Sequence, residues 1–390
     1  MIFTLYLLKK MIKKRFKGKS FWAGTFTLTG CIIGAGILGL PYLFSQSGFL
    51  IGLFWIIFLG LIIILTNLYM GEVILRTSGN HQLTGYAGHY LGKTGEKLMF
   101  FAMIFGIYSA LLAYLIGEGQ SLSYFFTGGE KYALLFGIVF WAIMTLLLRE
   151  GLRGLKKVES WGVIAIIIMA LAIFIMLFPK IDYGNISHYN TSLFFLPMGV
   201  VLFALLGFSA IPEVGRVMEY SKNKLMKALI IGSLIPIFIY FLFTFAFVGA
   251  FGDKIKEVAT ISAGSFGSLF GIFTMLTSYF VLSFSLRDMF NTDFHVNKKY
   301  IFFIVSIIPI LLYLFIVFFN IFDFEKILGI GGVISGGLTA ILILLMNYQS
   351  KKYSERKPEY WIPINWIIIL ILAIVFIAGI VIELGLFNLF

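Results

Sequence analysis

From Ser20 to Gly71 the chain carries no charged side chain, a run of 52 residues in a protein of 390. As helix, at roughly 1.5 Å per residue, it would extend about 78 Å, enough to cross a roughly 30 Å hydrocarbon layer twice. The run follows a basic cluster, Lys9, Lys10, Lys13, Lys14, Arg15, Lys17 and Lys19, and it has no short apolar core ending in small residues. It therefore reads as the start of a polytopic membrane protein rather than a cleaved leader. Composition agrees: 60% of residues are apolar and 12% charged, against about a quarter charged in soluble domains. One cysteine, Cys31, excludes an intramolecular disulfide and a cysteine zinc cluster, and His81, His89, His188 and His295 form no ligand spacing. Neither a metal site nor a cofactor is expected. In lipid the net charge of +12 speaks of orientation, not of nucleic acid.

Apolar runs separated by charged or glycine-rich breaks predict an all-α protein with eleven spans. They lie near 21–46, 48–75, 95–126, 132–149, 158–179, 194–219, 225–250, 267–290, 300–321, 328–347 and 361–387. Sorted onto alternate sides of these spans, 25 of the 30 Lys and Arg share the side of the N-terminus. Five lie opposite: Lys131, Lys180, Lys254, Lys256 and Lys326. Basic residues stay in the cytoplasm, so the N-terminus is expected inside the cell membrane and the C-terminus outside. Spans one to five and six to ten begin at offsets of 168 to 177 residues. Because five is odd, two such halves face opposite ways, the inverted repeat typical of secondary transporters. The expected organisation is a basic segment (1–19), a first five-helix repeat (20–180), an inverted second (181–350) and an extra C-terminal helix (351–390).

The first span of each half is interrupted. In span one, Gly30, Gly34, Gly36, Gly39 and Pro41 fall within twelve residues; in span six the run is Leu206-Gly207-Phe208-Ser209-Ala210-Ile211-Pro212-Glu213. An interior glycine costs a helix about 1 kcal/mol relative to alanine and a proline about 3. Pro212 suits the first turn of a new helix, Ser209 could cap nearby amides, and Glu213 favours a helix N-terminus. A broken helix exposes amides that attract a carboxylate and carbonyls that attract an ammonium, and such backbone is tolerated at depth only beside a protein-walled cavity. Two facing breaks thus suit a zwitterion. Gly34 to Gly39 also matches G-x-G-x-x-G, but it lies in an apolar span with no βαβ unit around it. Gly30 and Gly34 alone would equally serve as a helix-packing face; the second break at the matching position favours a site.

Ile33-Gly34-Ala35-Gly36-Ile37-Leu38-Gly39-Leu40-Pro41-Tyr42 resembles the opening motif of the amino acid/auxin permease family, within the amino acid–polyamine–organocation superfamily. Phe203-Ala204-Leu205-Leu206-Gly207-Phe208-Ser209-Ala210-Ile211-Pro212-Glu213-Val214 resembles that family's sixth span. The resemblance covers spans one to about ten. It implies the leucine-transporter (LeuT) fold and amino acid transport by alternating access, coupled to protons or sodium, with an amino acid and the bilayer as partners and no obligate protein partner. By that resemblance, amides around Gly34, Ala35 and Gly36, flanked by Ile33 and Ile37, hold the substrate carboxylate. Carbonyls near Cys31, Phe203 and Ala204 hold its ammonium. Phe208, just past Gly207, shapes the side-chain subsite, with Tyr108 of span three as a further lining residue or simple packing. Apolar residues around Ile37, Phe203 and Phe208 hint at neutral, aromatic or branched substrates.

Thr274, Thr277 and Ser278 of span eight resemble a sodium site that carbonyls of Gly30 and Ile33 would complete. Hydroxyls in membrane helices also commonly bond their own backbone, which leaves both readings open. Sodium-independent relatives place a lysine of span five here, and Arg153 or Lys157 would be the counterpart. Of the few acids within or near spans, Glu72, Glu118, Glu213 and Glu383, Glu72 and Glu213 sit toward the inner side, and Glu118 is the candidate outer-vestibule or proton-linked residue, a solvated helix end being the plainer alternative. An inorganic or metal ion transporter would call for an acid or amide in residues 30–41, which have none. A membrane-embedded enzyme would need paired acids or a nucleophile with its base at depth. An amino acid receptor that does not transport is a further alternative.

Overall fold

Glycines set where the first apolar run bends. The computed structural model describes residues 20–150, 155–292 and 294–384, and the regular structure there is helical apart from one isolated bridge, Gly48 to Tyr189. Helices α1 (Ser20–Ile32) and α2 (Gly36–Ser47) meet at 52° across Ile33–Ala35. The bend thus ends before Pro41, which lies inside α2. Gly48 stops α2 with φ of 104°, and a β-carbon there would stand 2.6 Å from the His188 carbonyl, so torsion and contact both require glycine.

The chain continues through α3 (Phe49–Arg76), α4 (Leu83–Thr127), α5 (Ala133–Glu150), α6 (Leu155–Leu177) and the short α7 (Tyr183–Ser187). Helices α8 (Met198–Leu205) and α9 (Ile211–Val217) are separated by Leu206, Gly207 and a tight turn over Phe208–Ala210. Then come α10 (Leu225–Phe251), α11 (Gly264–Thr292), α12 (Lys298–Phe302), α13 (Ile308–Phe319), α14 (Phe324–Gly331), α15 (Gly337–Lys352) and α16 (Trp366–Glu383). Wide π-helical turns, Phe303–Ile307 and Gly332–Gly336, join α12 to α13 and α14 to α15. Among the described residues nine helices are long and apolar enough to cross a membrane, the bent α1–α2 pair makes a tenth, and Ala133–Leu148 is a shorter apolar helix. The third span starts earlier than the sequence predicts, at Leu83 rather than 95. There Gly92, at φ of 68°, joins a short helix over residues 83–91 to the long apolar one.

Burial sorts these helices into a centre and a rim. The α8–α9 and α14–α15 pairs are the most buried spans, while α16, α6 and α12–α13 are the least. Their outward side chains are apolar: Ile175 is 69% exposed, Ile367 67% and Phe318 82%. In water so many would be an aggregation surface; in lipid they cost nothing.

Loops assigned to one side by the sequence do gather at one end. The amides of Glu355 and Arg356 donate to the Arg76 carbonyl, and Ser20 meets Ser221 at 2.9 Å. Glu72, fully buried, accepts from Arg76 at 2.9 Å, from Asn347 at 3.3 Å and from the Ile362 amide at 3.1 Å, so its charge is paired rather than solvated by a cavity. Glu213 pairs with Arg216 at 3.3 Å. At the opposite end Lys256 pairs with Glu130, Lys326 lies 3.5 Å from Glu383, and the Asn190 amide donates to Ser47 at 2.8 Å. Here burial and the neighbouring Asp323 push the Glu257 carboxyl above the usual carboxylate range.

Candidate functional site

The bend at Ile33–Ala35 leaves α2 without a side-chain cap, so its first amides have no intrahelical partner. A β-carbon on Gly36 would run into the backbone of Ala204, which brings the two interrupted spans into main-chain contact. One on Gly34 would stand 2.8 Å from the Tyr114 hydroxyl and 3.4 Å from Ser278 Oγ. Cys31 Sγ meets Ser209 Oγ at 3.5 Å. Ser209 therefore bridges the two breaks rather than capping α9, which has no side-chain cap; Pro212 and Glu213 do occupy its first turn.

Tyr240 of α10 ties the breaks together. Its buried hydroxyl lies 2.7 Å from the Ile32 carbonyl, at the end of α1, and 2.8 Å from the Ala204 carbonyl in α8. A hydroxyl has one proton to share between two acceptors, and each carbonyl keeps a second lone pair. The sequence reading did not single out Tyr240, since nothing in its local pattern separates it from the other eighteen tyrosines.

Between the breaks lies a cavity of about 670 Å³, counted with its open mouth. Cys31, Gly34 and Gly36 line it from the first break, and Phe203, Phe208 and Ser209 from the second. Ile33, Ala35 and Ile37 are buried beside it, Ala204 supports Gly36, and Gly207 is held against Ile32 and Leu28. Tyr108 is elsewhere: its hydroxyl donates to the Ile304 carbonyl at 3.0 Å, outside the lining. The α4 face that does line the cavity runs through Met103, Ile107, Ala110 and Tyr114, a helical repeat on which Tyr108 is out of phase. The far wall, Ser335, Gly336 and Thr339, was also missed; its signal was the Gly331–Gly337 run, where a wide turn brings small residues to the cavity. Among the described residues no charged side chain lines this space.

Of the residues likened to a sodium site, Ser278 lies beside Gly34, while Gly30 packs on Val163. Thr274 donates to Phe270 at 2.8 Å, and Thr277 to Phe273 at 3.0 Å and Thr274 at 2.9 Å, so both hydroxyls are engaged by their own helix. Arg153 and the side chain of Lys157 lie outside the described residues. Glu118 is not a solvated helix end: it is fully buried and neither carboxyl oxygen has a partner among the described residues. No group of three His, Cys, Asp or Glu among the described residues could hold a metal.

The chain has relatives among known proteins. It is 24% identical over 251 residues to tyrosine-specific transport system 1 of Haemophilus influenzae, a match covering 61% of each chain. The aligned region thus spans about three-fifths of that relative's length. Two LeuT-like structures superpose over 93% of the chain. One is MhsT in complex with L-phenylalanine, with a TM-score of 0.66 at 16% identity over 97% of its length. The other is a manganese transporter of Eremococcus coleocola, at 0.65, 13% and 86%. At such identities what is shared is the fold. A family model described as the tryptophan/tyrosine permease family matches residues 17–266, and the chain belongs to that family.

Proposed function

We propose that the protein is a secondary active transporter of amino acids across the cell membrane, working by alternating access and driven by protons or sodium. The observation that carries this is the cavity between two helix breaks, lined by no charged side chain among the described residues, with Gly34 and Gly36 on one side and Phe208 and Ser209 on the other. Uncapped amides at the start of α2 would take the substrate carboxylate, and the remaining lone pairs near Cys31, Phe203 and Ala204 its ammonium. Thr339, whose buried hydroxyl has no partner among the described residues, borders the same space and offers a further polar contact. Apolar neighbours Phe203, Phe208, Met103 and Ile107 suit a neutral, aromatic or branched side chain. The family description and the tyrosine system among the relatives favour the aromatic choice.

In this proposal the chain makes eleven crossings, with the first and sixth broken, N-terminus cytoplasmic and C-terminus outside. Residues 20–180 and 181–350 form the two inverted repeats, and the family falls within the amino acid–polyamine–organocation superfamily. The test is uptake into reconstituted vesicles of labelled tyrosine, tryptophan, phenylalanine, leucine and glutamine, with pH and sodium gradients imposed separately. Accumulation of an aromatic amino acid under one gradient is the expected result. Failure of the full amino acid panel to accumulate or exchange under either gradient would overturn the proposal.

A further inference from the structure

The lining face of α4 does not stop at the cavity. One turn beyond Tyr114, at the same helical phase, stands Glu118, and three residues further Ser121; both are fully buried. The two Glu118 carboxyl oxygens, Ser121 Oγ and Thr260 Oγ1 all lack a hydrogen-bond partner among the described residues. Ser121 and Thr260 converge on one spot: a β-carbon on Gly271 of α11 would stand 2.7 Å from Thr260 Oγ1 and 3.5 Å from Ser121 Oγ. Thr260 lies in the tight turn Ala259–Ala263, whose backbone seats against Gly267. Two orphaned oxygens meet at this glycine, and the unpartnered Glu118 carboxyl lies three residues before Ser121 on the same helix, whereas buried polar atoms are ordinarily paired.

Among the described residues no countercharge compensates Glu118. Around it α11 contributes Met275 and α14 Phe324, both against the adjacent Gly117. The titratable groups of the packed elements are engaged elsewhere: Tyr279 meets Phe140 edge-to-face, Tyr313 packs on Gly137, and Tyr114 bonds Ser278 and the Ala35 backbone. The charged groups of this end interact among themselves, Glu130 with Lys256, and Glu325 with Glu257, Asp323 and Lys326. A carboxyl in this setting is stable only with a proton on it, or in contact with water.

We propose that Glu118, with Ser121 and Thr260, is a proton-binding site separate from the substrate cavity and coupled to it through Tyr114. This rests on the transport function proposed above. Protonated, the carboxyl fits the dry packing of the Thr260 turn on Gly267 and Gly271. Ionised, it needs water, so the turn must part from α11. The two forms thereby favour different packings of α4 against α11, and one turn along α4 the Tyr114 hydroxyl touches the first break at Gly34. The step is a single proton taken from outer water onto a carboxylate oxygen and later returned to water.

Two measurements test it. In vesicles, labelled L-tyrosine driven by an inward pH gradient should accumulate with the wild type, and Glu118→Gln should lower that accumulation by about tenfold or more while one-for-one exchange stays within about twofold. Undiminished gradient-driven accumulation in Glu118→Gln would overturn the proposal, as would accumulation in the wild type driven by sodium alone. On substrate-free protein in detergent, the infrared pH-difference spectrum should show the carbonyl stretch of a protonated carboxylic acid that Glu118→Gln removes. An unchanged spectrum would also overturn it. Ser121→Ala, which keeps the carboxyl, should shift the pH midpoint of that band without abolishing it. If no amino acid of the panel accumulates or exchanges, the transport function fails, while the infrared band still decides whether Glu118 binds the proton.

Discussion

The two interruptions that face each other across the cavity are made by different means. The first is built from missing side chains: Gly34 and Gly36 leave room for the Tyr114 hydroxyl and for the Ala204 backbone, and α2 begins with no cap. The second is built from present ones: after Gly207, which follows an extended Leu206, a tight turn delivers Phe208 and Ser209 to the cavity, and Pro212 restarts the helix. One break therefore offers bare backbone, and the other offers side chains. In a transporter this would give the first break the carboxylate that all amino acids share, and the second the side chain that distinguishes them, with the ammonium between the two.

The largest effect that would break this contrast is Gly36→Val. Its side chain meets main chain rather than a movable group, and overpacking of this sort costs typically 1–3 kcal/mol or more. Uptake should fall by more than about tenfold, the equivalent of 1.4 kcal/mol, together with a lowered Tm in detergent. Near-normal uptake would show that the breaks need not touch. Next is Tyr240→Phe, which strips the hydroxyl bridging Ile32 and Ala204 and leaves buried acceptors unpaired at about 1–3 kcal/mol each. A drop in Tm with a raised KM is expected. An unchanged KM would mean that α10 holds the breaks by packing alone.

Phe208→Ala sharpens the side-chain half of the contrast. Loss of the ring should raise KM for tyrosine by about tenfold, within the 1–3 kcal/mol that apolar pockets discriminate, and leave a small amino acid such as alanine little changed. Equal losses for both would place Phe208 in the general architecture instead. How much of this was legible follows from the same division. Breaks announce themselves by composition, because Gly34, Gly36, Gly207 and Pro212 are expensive in a continuous helix wherever they occur. That the loops near Ser20, Arg76, Ser221 and Glu355 share one end was legible too, since alternate spans return the chain to the same end. Partners brought from distant spans were not: Tyr240 and Tyr114 earn their roles from tertiary contacts with Ala204, Ile32 and Gly34, and an aromatic on an apolar helix has no local mark of them. Tyr108 failed for a geometric reason, being out of phase with the Met103–Ile107–Ala110–Tyr114 face.

Thr277→Ala tests the smallest expected effect and reaches back to the first break, whose carbonyls a sodium ion would have to share. The Thr277 hydroxyl donates to Phe273 and Thr274 of its own helix, bonds that membrane helices provide without any ion. Removing a hydroxyl so engaged should cost about 0.5–1.5 kcal/mol of stability and leave the sodium dependence of uptake within about twofold. Ser278→Ala differs because Ser278 Oγ lies beside Gly34 and bonds Tyr114; it should disturb substrate KM more than Thr277→Ala does. A tenfold shift in sodium dependence from Thr277→Ala alone would show that this hydroxyl leaves its helix for an ion. The first break would then bind cation and carboxylate together, and the division of labour between bare backbone and side chains would have to be redrawn around α11.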